Sequence, residues 1–136
     1  MTKIYVLDAN AVLDFSEAGP GALRVERLLQ EALHGQSLLL ISVANWGEVF
    51  YLLWQRRGEQ QALRTIARLS HLPLEIIPVD LPQALKAGEI KARHEIPYVD
   101  CIAAALAVLQ QAVLVTADRD FERLGRHFPI LWISRP

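Results

Sequence analysis

Cysteine is almost missing from this sequence: Cys101 stands alone. One thiol excludes an intrachain disulfide framework and agrees with a reducing compartment. Charge of one sign is missing too. Fourteen basic residues against fifteen acidic ones leave a formal net charge of -1. The chain as a whole therefore does not advertise a nucleic-acid binder, and any such role must rest on a local patch. No long unbroken apolar run is present. The opening "MTKIYVLDAN" does not read as a signal peptide, because its apolar run is short and is broken by Asp8. The apolar stretch ending at Val115 is interrupted by Asp100, Gln110 and Gln111, so no membrane span is expected. His34, His71, His94 and His127 show neither H-E-x-x-H nor any paired spacing, which makes a histidine general base a minor option. Internal repeats, low-complexity tracts and interdomain linkers are absent. A soluble cytoplasmic protein with a single domain over residues 1–136 is the expectation.

What the sequence does hold is apolar surface, 52% of residues, in five short runs: "KIYVL", "SLLLIS", "LEIIPV", "AVLVTA" and "PILWIS". They are near-continuous rather than alternating, as in strands of a parallel sheet covered on both faces. Longer segments with helical spacing lie between them. In "ALRVERLLQEAL" the residues Leu23, Leu28, Leu29 and Leu33 are expected to share a stripe. "ANWGEVFYLLWQRRG" is apolar up to Arg56, with Gly58 as a stop, and "EQQALRTIARLSHL" ends before Pro73. "LPQALKAGEIKARHEI" is amphipathic, Pro97 separates it from "YVDCIAAALAVLQQ", and a short helix "DRDFERLGRHF" precedes the last strand. Strands alternating with helices predict a three-layer α/β/α sandwich with a mainly parallel sheet of about five strands.

Against this apolar background four acids stand out. Asp100 is the only charge between Ile96 and Val115, and Glu48 is the only one between Ser37 and Trp54. Asp8 follows the first strand directly and Asp118 follows the fourth. Residues beyond the carboxyl ends of strands in an open α/β sheet can converge on a ligand. Each acid also has an ordinary role open to it. Asp8 and Asp118 suit helix N-caps, and Asp100 suits the positive end of a helix. Glu48 suits an exposed strip, although one turn away it meets only Ala44, Asn45, Tyr51 and Leu52, none of them a cation. Together the four would repel one another unless a hard divalent cation, Mg²⁺ or Mn²⁺, sat among their oxygens. Such a cation activates water and neutralises a phosphodiester, which suits cleavage of a nucleic-acid backbone.

At these residues the chain resembles the PIN-domain family and, within it, the VapC-type toxin ribonucleases of prokaryotic toxin–antitoxin pairs. The likeness runs through "VLDANAVLDF", "ISVANWGEVFY", "KARHEIPYVDCIAAALA" and "VLVTADRDFERL", in that order and nearly end to end. It implies a Mg²⁺- or Mn²⁺-dependent endoribonuclease, a homodimer, and inhibition by a cognate antitoxin across the active-site groove. The family's acids carry over onto Asp8, Glu48, Asp100 and Asp118, as both metal ligands and catalytic residues. Asn10 and Thr116 fall on the family's polar positions beside the first and last acids, where they would orient a ligand or water. Asp118 is favoured over Asp120 by the T-x-D register, with Asp120 as an auxiliary ligand or helix-start acid. Cys101 reads as core packing.

Trp46 and Trp54 read as core or dimer-interface residues, and Trp132 as core. Two basic runs, Arg56, Arg57, Arg64 and Arg68, then Lys86, Lys91 and Arg93, read as solvated faces. Either would hold RNA phosphates if it rimmed the acids. Two other functions compete with the nuclease. One is phosphoryl transfer through an aspartyl phosphate on Asp8, a scheme that wants an acid where Asn10 stands. The other is a catalytically silent module that binds metal and a partner protein or RNA.

Overall fold

Each of the five apolar runs becomes a strand in the computed structural model, which describes residues 2–135. Met1 and Pro136, the outer limits of the expected domain, lie outside the described residues. The strands are β1 (Lys3–Leu7), β2 (Ser37–Ser42), β3 (Glu75–Ile77), β4 (Val113–Thr116) and β5 (Ile130–Trp132). All pair in parallel, in the order β3-β2-β1-β4-β5. The third run is trimmed at Pro78, which has no N–H to give a ladder.

Among the described residues six α-helices cover the sheet: α1 (Ala9–Ser16), α2 (Ala22–Leu33), α3 (Val43–Arg57), α4 (Glu59–Leu69), α5 (Leu81–Arg93) and α6 (Tyr98–Leu109). The segment after β4 is a 3₁₀ turn over Arg119–Leu124 rather than an α-helix, with Phe121 fully buried as its anchor. Gly58, at φ +85°, makes the corner between α3 and α4, a conformation that side chains disfavour. Strand pleating sends alternate residues to opposite faces. Tyr5, Leu7, Leu39, Ile41 and Val115 therefore pack with α1–α4, while Val6, Leu40 and Leu114 pack with α5, α6 and Phe121. This is the three-layer arrangement expected.

Some side chains depart from expectation. Leu23 and Leu33 are 71% and 65% exposed, and Val25 joins Leu28 and Leu29 inside. Leu23 lies five residues before Leu28, about 140° around a helix of 3.6 residues per turn, whereas Val25 is one turn away. Trp132 is half-buried against the core rather than inside it. Trp46 is half-buried against the core, but Trp54 is exposed and forms a T-shaped pair with Phe50, ring centroids 5.7 Å apart. Cys101 is fully buried in the core, where desolvation raises its thiol pKa.

The chain leaves β1 for β2 through α1 and α2, whereas β4 joins β1 from the opposite side. The strand order therefore reverses between β1 and β4, and a crevice opens outside their carboxyl ends.

Candidate active site

Asp8 sits at that crevice because it is the first residue past β1. Its extended backbone ends the strand, and its Oδ1 accepts the Ala11 N–H at 2.8 Å, so the N-cap role is real. Its Oδ2 accepts the Thr116 hydroxyl at 2.5 Å. Thr116 ends β4 next door, and its Oγ1 in turn accepts the Asp118 N–H at 2.9 Å. One hydroxyl thus ties the first acid to the last. Asp118 also caps the 3₁₀ turn by accepting the Asp120 N–H at 2.9 Å. Asn10, exposed at the start of α1, accepts the Ala117 N–H at 3.2 Å and clips the end of β4 to that helix.

Asp100 lies in the first turn of α6, behind Pro97, and is only 7% exposed. Its carboxylate caps nothing and pairs with no cation among the described residues. The tightest acidic group is Asp100, Asp118 and Asp120, whose carboxylate oxygens lie within 4.8 Å of one another. Asp120, expected as an auxiliary ligand or helix-start acid, stands inside this group and also in the first turn of the 3₁₀ segment. Asp8 borders it close enough to feel the charges of Asp100 and Asp118, and Glu48 borders it close enough to feel Asp118. All five carboxylates thus share one electrostatic neighbourhood.

That neighbourhood is set against ionisation. Burial pushes Asp8 up to about 7, against the opposing pull of its hydrogen bonds to Thr116 and Ala11, and the Asp100 and Asp118 charges add to the rise. Asp100 is also pushed up to about 7, by burial first and then by Asp118, Glu48 and Asp120. Glu48, half-buried, is raised by burial and by Asp118. Its neighbour Asn45 pulls the other way, yet makes no regular hydrogen bond to it. Both Asn45 amide atoms are fully buried without a partner among the described residues. A buried orphaned amide is exceptional, and this one lies one turn from Glu48. In the sequence Asn45 is only a neutral neighbour of Glu48, and nothing there marks its burial.

This donor set fits a hard cation. Every donor is a carboxylate oxygen, and clustered carboxylates without local cations are what Mg²⁺ or Mn²⁺ takes. Oxygens around one Mg²⁺ lie no more than about 4.2 Å apart, twice its bond length. Three carboxylate oxygens within 4.8 Å of one another are close enough for one such ion to be held directly or through water.

Thr116→Val keeps the shape and removes the donor to Asp8 and the acceptor for the Asp118 N–H. It is expected to cost roughly 1–3 kcal/mol of stability, read from urea midpoints, and to raise the Asp8 pKa further, read by carboxyl NMR titration. An unchanged Asp8 titration would contradict the bridge.

A switch-point crevice ringed by carboxylates is the candidate metal centre of an α/β protein. The family model of the PIN domain matches residues 5–127, and the chain belongs to that family. Among curated proteins no sequence match was found. Solved structures share the fold at low identity. VapBC2 from Rickettsia felis, bound to a DNA fragment from its promoter, is similar at TM-score 0.74 and 21% identity, over 94% of this chain and 97% of that one. VapBC-1 from nontypeable Haemophilus influenzae gives 0.73 and 22%, over 97% and 99%. VapC20 from Mycobacterium tuberculosis, a Sarcin-Ricin loop cleaving toxin, gives 0.70 and 22%, again over 97% and 99%.

Proposed function

We propose that the chain is a metal-dependent endoribonuclease, the toxin of a toxin–antitoxin pair, acting in the cytoplasm as a homodimer and as one PIN domain over residues 1–136. One observation carries this reading. Acids from β1, α3, α6 and the turn after β4 share a crevice with no neutralising cation among the described residues. Membership of the PIN-domain family supports the nuclease class, and similarity to VapBC assemblies supports an antitoxin partner. No helix among the described residues is long and apolar enough to cross a membrane.

Asp8, Asp100 and Asp118 would hold Mg²⁺ or Mn²⁺, with Glu48 completing the set and Asp120 adding a further oxygen. When bound, the cation supplies a more acidic water and neutralises the phosphodiester. The chain's residues do the rest. Thr116 and the Ala11 N–H fix both oxygens of Asp8, leaving it little freedom to turn. Glu48, with its raised pKa, is suited to orient the attacking water and accept its proton. In-line attack forms a new P–O bond and breaks the bond to O3′, which takes up a proton. The products are a 5′-phosphate and a 3′-hydroxyl. An aspartyl phosphate on Asp8 is disfavoured, because both its oxygens accept hydrogen bonds in a buried position.

Purified protein should cut one or more of a panel of structured RNAs with Mg²⁺ or Mn²⁺ present and stop in excess EDTA. Cleavage undiminished by EDTA overturns the reading. Metal binding without cleavage of any RNA would favour the silent module.

A further inference from the structure

Both basic runs visible in the sequence are partly neutralised within the fold. Arg56 and Arg57 pair with Glu17 at 2.7 and 3.3 Å, and Lys86 and Arg93 pair with Glu89 at 2.6 and 3.6 Å. Lys91 donates to the Ile96 carbonyl, and Arg68 to the Thr65 hydroxyl. Elsewhere, residues far apart in sequence build a basic groove along β5. A cleft of about 590 Å³ is lined by Arg24, Arg119, Trp132 and Arg135 among others. A second, of about 330 Å³, shares Arg119 and Trp132 with it and adds Arg126. Glu122 is the only acid among the described residues lining either one.

The groove is organised. β5 is an edge strand, so alternate backbone groups have no sheet partner. Arg24 donates to the Trp132 carbonyl at 3.1 Å, and Arg119 to the Ser134 carbonyl at 2.9 Å. The Arg119 guanidinium lies over the Trp132 ring, 4.2 Å from its centroid, and reaches Glu122 only at 3.8 Å. These contacts fix the two side chains while leaving most of their five donors each unspent. Arg126 and Arg135 are exposed and pair with no carboxylate among the described residues. The groove also lies beside the acids. Thr116 pairs with Trp132 across β4 and β5, and Arg119 follows Asp118 directly.

We propose that the Arg24–Arg119–Arg126–Arg135 groove binds the phosphodiester backbone of single-stranded RNA running out of the acidic crevice. This rests on the nuclease reading for its substrate class and adds where the chain grips it. Carboxylates at the crevice repel phosphates, so attraction must come from nearby cations. Of the cationic clusters described, this one adjoins the acids and is the least neutralised. An acidic protein segment is the competing occupant. RNA is favoured because the groove continues from the strand end that carries Asp118.

The test uses the full chain with Asp100→Asn, kept in EDTA so that no RNA is cut, and a short unstructured fluorescein-labelled RNA followed by anisotropy across a salt series. Arg24→Gln and Arg135→Gln should each weaken binding roughly threefold to tenfold at low salt and lower the slope of log K against log salt by about 0.7. An Arg56→Gln, Arg57→Gln double variant should change neither quantity. Affinity and slope left intact by both groove variants would overturn the proposal, as would an equal loss in the control. RNA binding retained while binding of a polyglutamate peptide falls would overturn it in favour of an acidic protein partner. The two readings fail separately. A protein that never cuts RNA but loses its grip in these variants sinks the nuclease alone; metal-dependent cutting with unaltered affinity sinks the groove alone.

Discussion

Asp100→Asn is expected to bring RNA cleavage down by roughly 10²–10³-fold and to make the metal-free protein more stable. The substitution keeps the side chain's shape and removes one charge. Asp100 is 7% exposed and repelled by Asp118, Glu48 and Asp120, which is why its carboxyl is raised to about 7. At pH 8 the parent must hold it ionised among those neighbours, and asparagine relieves the strain by on the order of 1–3 kcal/mol. Were Asp100 only serving the positive end of α6, asparagine would instead cost about 0.3–1 kcal/mol. The sign of the change in urea midpoint, measured in EDTA, thus distinguishes the two roles. A variant that cuts RNA like the parent, or is less stable than it in EDTA, contradicts the site.

Metal-free protein should lose stability as pH rises from 5 to 8, and divalent metal should restore it. Asp8 and Asp100 titrate from 3.8 when unfolded to about 7 when folded. Between those values the folded chain binds more protons than the unfolded one, so stability falls with rising pH. The contribution is fully present below 3.8 and is lost as pH passes through about 7. Because the two acids interact, their joint effect is on the order of 2–4 kcal/mol, at about 1.4 kcal/mol per pKa unit. That corresponds to roughly 6–12 °C in Tm. Mg²⁺ at a hundredfold excess over its Kd returns about 2.7 kcal/mol and flattens the profile. Scanning calorimetry in EDTA and in Mg²⁺ checks both halves. Stability that rises from pH 5 to 8 in EDTA, or is indifferent to Mg²⁺ at pH 8, would falsify it.

The inner strands were legible because β1, β2 and β4 are covered on both faces and must be largely apolar, while the longer apolar run over residues 101–109 is a buried helix that length tells apart from a strand. The positions of Asp8 and Asp118 were legible for a related reason: each ends such a run, and the carboxyl ends of neighbouring parallel strands lie side by side. Burial of side chains at helix ends was less legible. Leu23 and Leu33 are apolar, but α2 presents Val25, Leu28 and Leu29 to the sheet. The approach of Asp120 to Asp100 and Asp118 depends on the tight winding of the 3₁₀ turn, which no periodicity announces. Nor does any run reveal the arginine groove, because positions 24, 119, 126 and 135 meet only once β5 has docked on β4. In the runs that could be seen, Arg56, Arg57, Lys86 and Arg93 are answered by Glu17 and Glu89.

The two sides of the crevice are held differently. Asp8 is gripped at both oxygens by a hydroxyl and a backbone amide, whereas no protein donor restrains Asp100 among the described residues. One wall is therefore an anvil and the other a spring. On the proposed reading, an ion in the crevice would meet one carboxylate already locked by the sheet and another, on α6, that only the ion itself would hold.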